Sequence, residues 1–68
     1  MTDKQQITYT LQKYNDGAGV ITKSQIGRFM GLKHPTGRVY RLVAGLRQYE
    51  GKYYLVTDVA EAYLNSAK

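Results

Sequence analysis

Residues 22–46 read TKSQIGRFMGLKHPTGRVYRLVAGL, and this stretch decides the fold. Thr22 followed three residues later by Gln25 makes a capping box, in which each side chain satisfies a free amide of a helix's first turn. The helix it opens carries Ile26, Phe29 and Met30 at core spacing, turns Ser24, Gln25 and Arg28 outward, and stops near Gly31. Pro35 suits the first turn of a second helix, where its missing amide costs nothing. There Val39, Leu42, Val43 and Leu46 fall at i, i+3, i+4 and i+7, a core stripe. The opposite face of that helix holds Gly37, Arg41, Ala44 and Gln48, with Arg38 and Tyr40 on its flanks. Small residues let such a face approach another surface closely, and Arg and Gln reach phosphates or base edges. Gly37 fits either close approach or an ordinary first turn.

Outward from this pair, Thr2 and Gln5 form another capping box, opening a helix over Asp3 to Tyr14 with Ile7, Leu11 and Tyr14 on one apolar face. Asn15-Asp16-Gly17 ends it, and Val20-Ile21 is long enough only for a strand stub. On the C-terminal side, Glu50-Gly51 reads as a two-residue hairpin turn. That register sets Gln48 opposite Tyr53 and Leu46 opposite Leu55, with Tyr53 and Leu55 inside and Tyr49, Lys52 and Tyr54 facing solvent. A last helix begins after Thr57, where Asp58 and Glu61 read as a third capping box and Val59, Ala62 and Tyr63 face inward. The expected order is helix, strand stub, helix, helix, two-stranded hairpin, helix. This is a mainly α fold with a small β-hairpin: a winged helix-turn-helix in one domain spanning residues 1–68.

The charge is segregated along the chain. The acids are Asp3, Asp16, Glu50, Asp58 and Glu61, so residues 17–49 contain none. The same stretch carries Lys23, Arg28, Lys33, Arg38, Arg41 and Arg47, while the overall net charge is +5. An acid-free central segment is the electrostatic footprint of a surface that meets phosphates. Sixty-eight residues without cysteine and with a single histidine leave no disulfide, no thiolate nucleophile and no cysteine zinc site. His34 beside Pro35 reads as a turn residue, and Asp58 and Glu61 are accounted for by capping, so neither an enzyme nor a metal or cofactor site is expected. Tyr14, Tyr53 and Tyr63 of the seven tyrosines fall on inward faces, and the rest share no single platform for stacking single-stranded bases. Duplex DNA is the expected polyanion. No apolar run suits a membrane span, Met1-Thr2-Asp3-Lys4 is unlike a signal peptide, and a cytoplasmic location is expected.

Arg38-Val39-Tyr40-Arg41-Leu42-Val43, taken with the helix of residues 22–32, resembles the winged-helix group of excisionases and mercury-resistance regulators. Their DNA-binding domains pair a T-x-x-E-[AV]-A-x-x-x-G-[VI] helix with a [ST]-[VI]-Y-R-[LY]-[IV] recognition helix. Gly51-Lys52-Tyr53-Tyr54-Leu55 and Ala60-Glu61-Ala62-Tyr63-Leu64 occupy the places of the family's wing and following helix. The resemblance covers residues 20–64. The connection at Lys33-His34-Pro35-Thr36-Gly37 is about two residues longer than the family's turn. Residues 46–49 are shorter than its loop, and the first helix is extra to the smallest members.

The resemblance implies a stand-alone excisionase, a recombination directionality factor, whose third helix enters the major groove. Arg41 would then contact bases, with Arg38 and Thr36 near the exposed helix start. Lys23, Ser24 and Arg28 would contact the backbone, and Lys33, Gly37 and Tyr40 would complete that side. Lys52 at the wing tip and Arg47 beside it would reach a neighbouring minor groove or phosphates, with Tyr49 and Tyr54 donating to phosphates. An integrase or recombinase is the implied protein partner, with self-association on DNA. Two other readings fit the same surface: a small phage- or transposon-encoded transcriptional regulator, and an adaptor docking an acidic protein. A homodimeric repressor would need residues 59–64 as its apolar interface.

Overall fold

The helix starts are set by local hydrogen bonds. In the computed structural model, which describes residues 2–66, Thr2 Oγ1 accepts from the Gln5 amide at 3.1 Å and Gln5 Oε1 accepts from the Thr2 amide at 3.0 Å. This opens α1 (Asp3–Gln12). The same reciprocal pair between Thr22 and Gln25, at 3.3 and 3.0 Å, opens α2 (Lys23–Phe29). For α3 (Gly37–Val43) the cap is Thr36, whose hydroxyl accepts from the Arg38 amide at 3.3 Å. Pro35 therefore lies just outside the helix and not in its first turn. The remaining elements are β1 (Val20–Ile21), β2 (Tyr54–Leu55) and α4 (Val56–Ser66).

Two helices end earlier than their apolar patterns suggest. α1 stops at Gln12, because Asp16 and Gly17 take left-handed backbone (φ 59° and 80°) and the Gly17 amide bonds to the Gln12 carbonyl at 2.9 Å. Tyr14 accordingly leaves the inward face and is 39% exposed. Asn15 is buried instead, and its Nδ2 donates to the carbonyls of Ala18 and Val20 at 3.0 and 2.8 Å, tying the turn to β1. α3 stops at Val43, followed by Gly45 at φ 87°. Gln48 is thus not on the outward face of α3, and Leu46 packs on the core from the segment beyond it.

The hairpin differs by one residue. Tyr49 pairs with Tyr53, exchanging amide–carbonyl bonds of 2.7 and 2.8 Å around a three-residue loop, Glu50-Gly51-Lys52. A one-residue slip exchanges the faces of a strand. Tyr54, expected in solvent, is therefore buried in the core, while Tyr53 and Leu55 are half-buried. The expected pairings of Gln48 with Tyr53 and Leu46 with Leu55 do not form. Beyond Tyr53 the strand turns to β1 instead, with Val20 opposite Leu55 and Ile21 opposite Tyr54 in a two-stranded antiparallel sheet.

β2 runs directly into α4, which begins at Val56 and not after Thr57; the Val56 amide donates to the Gly19 carbonyl at 3.0 Å. Asp58 sits in the first turn, where a negative charge suits the helix dipole, but it makes no capping box with Glu61. Glu61 meets Lys4 of α1 at 3.9 Å. Val56, Val59 and Ala60 face the core, and Ala62 and Tyr63 are only half-buried.

The core gathers Leu11, Ile21, Ile26, Val39, Val43, Tyr54, Val56, Val59 and Ala60, so every element contributes. α4 packs most extensively on α1 and less on α3, and α2 bridges α1 and α3. Gly27 is buried in α2, where the His34–Pro35 backbone passes 3.6 Å from the place of a Cβ. The molecule is thus mainly helical with a small antiparallel sheet, and among the described residues no helix is long and apolar enough to cross a membrane.

Two substitutions check this account by urea denaturation. Asn15→Ala removes the donor to the Val20 carbonyl and leaves the Ala18 carbonyl only the longer bond from Gln12 Nε2 at 3.4 Å, and is expected to cost about 1–2 kcal/mol. Glu50 holds φ at 53°, a conformation that Asn adopts more readily, so Glu50→Asn is expected to stabilise by roughly 0.5–1 kcal/mol.

Candidate nucleic-acid interface

The cations of the acid-free segment have no carboxylate partners. Among the described residues the single ion pair is Lys4–Glu61, and it joins α1 to α4. Two of these cations, Lys23 and Arg47, rest on tyrosine rings instead, as does Lys52 just beyond the segment. Lys23 Nζ lies 4.9 Å from the centre of the Tyr40 ring, and Arg47 Cζ lies 5.6 Å from that of Tyr49. Lys52 Nζ lies 5.1 Å from the centre of Tyr53. A ring face restrains a cation without cancelling its charge. The positive field of this surface is therefore retained.

The fold brings part of the expected site together. Thr22, Lys23 and Ser24 at the start of α2 share one notch with Gly51 and Lys52 of the hairpin loop. The Lys23–Tyr40 contact carries that group onto α3. Tyr40 is 53% exposed, an unusual placement for a large aromatic side chain on a short helix. Glu50, the acid closest to Lys52 in sequence, lines a different groove with Asn15, Gln25 and Tyr49 and forms no ion pair with Lys52.

On α3 the buried Val39 and Val43 fix the rotation of the helix and leave Gly37, Arg41 and Ala44 outward. Arg41 Nε donates to the Gly37 carbonyl at 3.3 Å, which lays the guanidinium back along the first turn and leaves its terminal nitrogens open. Gly37 is the first residue of α3, so the mid-helix penalty for glycine does not apply to it. A Cβ there would meet only Arg41 Nη2, at 3.8 Å. Arg38 points to the other flank, where it and Arg41 share a notch with Met30, Leu42, Tyr63 and Ser66.

Other expected residues are not gathered into these groups. Arg28, Lys33 and Arg47 are exposed, on α2, in the α2–α3 connection and before the hairpin. Tyr49 is half-buried and faces the Glu50 groove. Tyr54 is withdrawn altogether: it is 4% exposed, and its hydroxyl accepts from Gln48 Nε2 at 3.4 Å. Tyr63, expected in the core, instead lines the Arg38–Arg41 notch. A hydroxyl-bearing ring at an apolar position was its only sequence signal.

Comparison with family models, with characterised proteins and with solved structures returns no match for this chain. The functional reading therefore rests on the charge and geometry above.

Gly37→Ala separates contact from turn. Its melting temperature is expected to equal or slightly exceed that of the wild type, while duplex affinity falls several-fold. Unchanged affinity would assign Gly37 to the turn alone.

Proposed function

We propose that this chain is a winged-helix DNA-binding protein of the excisionase type, with α2 and α3 as its helix-turn-helix and the 49–53 hairpin as its wing. α3 enters the major groove of duplex DNA with Arg41 toward the bases. Lys23, Ser24 and Lys52 hold the sugar-phosphate backbone beside it. Phosphate contacts of this kind fix orientation, and base-edge contacts carry sequence preference. The role is that of an accessory to an integrase or recombinase, bending or bridging the DNA at its sites.

The observation that carries this reading is the set of cations on α2, α3 and the hairpin that lack any carboxylate partner among the described residues. Ordinary solvated lysines and arginines would be interspersed with acids; here the acids lie outside residues 17–49. A basic helix-turn-helix surface with an exposed Gly–Arg–Ala face suits a polyanion of regular shape better than an irregular acidic protein surface.

Fluorescence anisotropy of a labelled duplex, titrated at several salt concentrations, tests the proposal. Each phosphate met by a cation steepens log K against log[salt] by about 0.9, so Lys23 and Lys52 predict a slope of about −2 or steeper. Arg41→Ala should blunt discrimination between duplex sequences, whereas Lys52→Ala should weaken all of them alike and make the slope shallower by about 1. A wild type that ignores duplex DNA at low salt would turn the basic face toward an acidic protein partner.

A further inference from the structure

The exposed face of α3 is bordered by cations on both sides, and the two borders are built from different elements. On one side Tyr40 meets Lys23, which shares its notch with Lys52. On the other side Arg38 and Arg41 share a notch with Tyr63 near the C-terminal end of α4. Met30 and Leu42 also line this second notch. Tyr63 is held there by its ring: Phe29 meets it edge-on at 5.1 Å and 74°, and Tyr14 in turn meets Phe29 at 6.3 Å. The Tyr63 side chain is half-buried, and among the described residues its hydroxyl, like every other tyrosine hydroxyl except that of Tyr54, makes no hydrogen bond to the protein. Ser66 also lines the notch, but its hydroxyl already donates to the Tyr63 carbonyl at 2.9 Å.

A helix seated in the major groove has a phosphate strand on each side of it, since that groove is only about 12 Å wide. Resting on the DNA reading above, we infer that the Arg38–Tyr63 notch binds a phosphodiester of the strand opposite to the one held by Lys23 and Lys52. The chain thereby straddles the groove. Arg38 supplies the charge and the Tyr63 hydroxyl donates to a phosphate oxygen, with its ring held by Phe29 so that little freedom is lost on binding. The α4 end thus belongs to the binding surface as well as to the packing of the fold. Arg41 takes part from the edge of the notch while its terminal nitrogens face the groove.

Ethylation interference on a duplex selected for binding from a random pool reads each strand separately. Wild type is expected to show blocked phosphates on both strands. Tyr63→Phe, which keeps the ring packing, should weaken binding about tenfold, the usual effect of losing a hydrogen bond to a charged group. Tyr63→Phe and Arg38→Ala should each erase interference on one strand only, and Lys52→Ala on the other. Interference unchanged by Tyr63→Phe and Arg38→Ala, with wild type still binding, would overturn the straddling arrangement alone. Loss on both strands together would do the same. No duplex binding by wild type would overturn the DNA reading and this inference with it. Matching melting curves for Tyr63→Phe and wild type exclude misfolding as the cause of any loss.

Discussion

Val20–Ile21 and Tyr54–Leu55 contribute two residues each to a seam that joins the first half of the chain to the second. Ile21 and Tyr54, opposite each other, carry the seam into the core, and the Val56 amide extends it to Gly19. Every later placement depends on this pairing. It anchors the hairpin so that Gly51 and Lys52 lie beside the start of α2. It also launches α4 without an intervening loop, so that Val56, Val59 and Ala60 close the core against α1 and α3. A chain of this length buries a limited apolar area, so a single short sheet that ties distant segments together has a large effect.

With the scaffold closed in this way, the cations of α2, α3 and the hairpin form no ion pair among the described residues. Glu61 is spent on Lys4, Asp58 on the first turn of α4, and Glu50 lies in a separate groove. Tyr40, Tyr49 and Tyr53 restrain three of the cations while keeping their charge. Segregation in the sequence thus becomes segregation in space only in part: Lys23 and Lys52 share one notch and Arg38 and Arg41 another, while Arg28, Lys33 and Arg47 stay outside both. On the proposed reading, the two cationic borders of α3 would each face one of the strands that flank a DNA groove.

What could be read from the sequence was local. The Thr2–Gln5 and Thr22–Gln25 boxes need only residues three apart, and both form as expected. The Ile26, Val39 and Val43 positions follow from helical spacing and are buried. The misplacements all arise where a distant partner or a backbone conformation decides. Two or three residues in the 49–53 loop are equally readable from Glu50-Gly51, yet the choice reverses Tyr53 and Tyr54. Periodicity alone carries α3 on to Gln48, but the helix ends at Val43, with Gly45 in left-handed backbone just beyond. The start of α4 was set by a pairing with β1 more than thirty residues away in sequence, which overrode the capping signal at Asp58. The cations of the candidate site were legible from composition. Their division between the two flanks of α3 was not, because it depends on how α3 is turned between α2 and α4.

Amide chemical shifts of the isotopically labelled protein, followed while an unlabelled duplex is added, test the central claim most directly. The account predicts shifts concentrated at residues 23–24, 36–41, 51–53 and 63–66, with residues 3–9 unmoved. Shifts centred instead on the α1–α4 surface around Tyr9 and Thr57, or none at low salt, would contradict it.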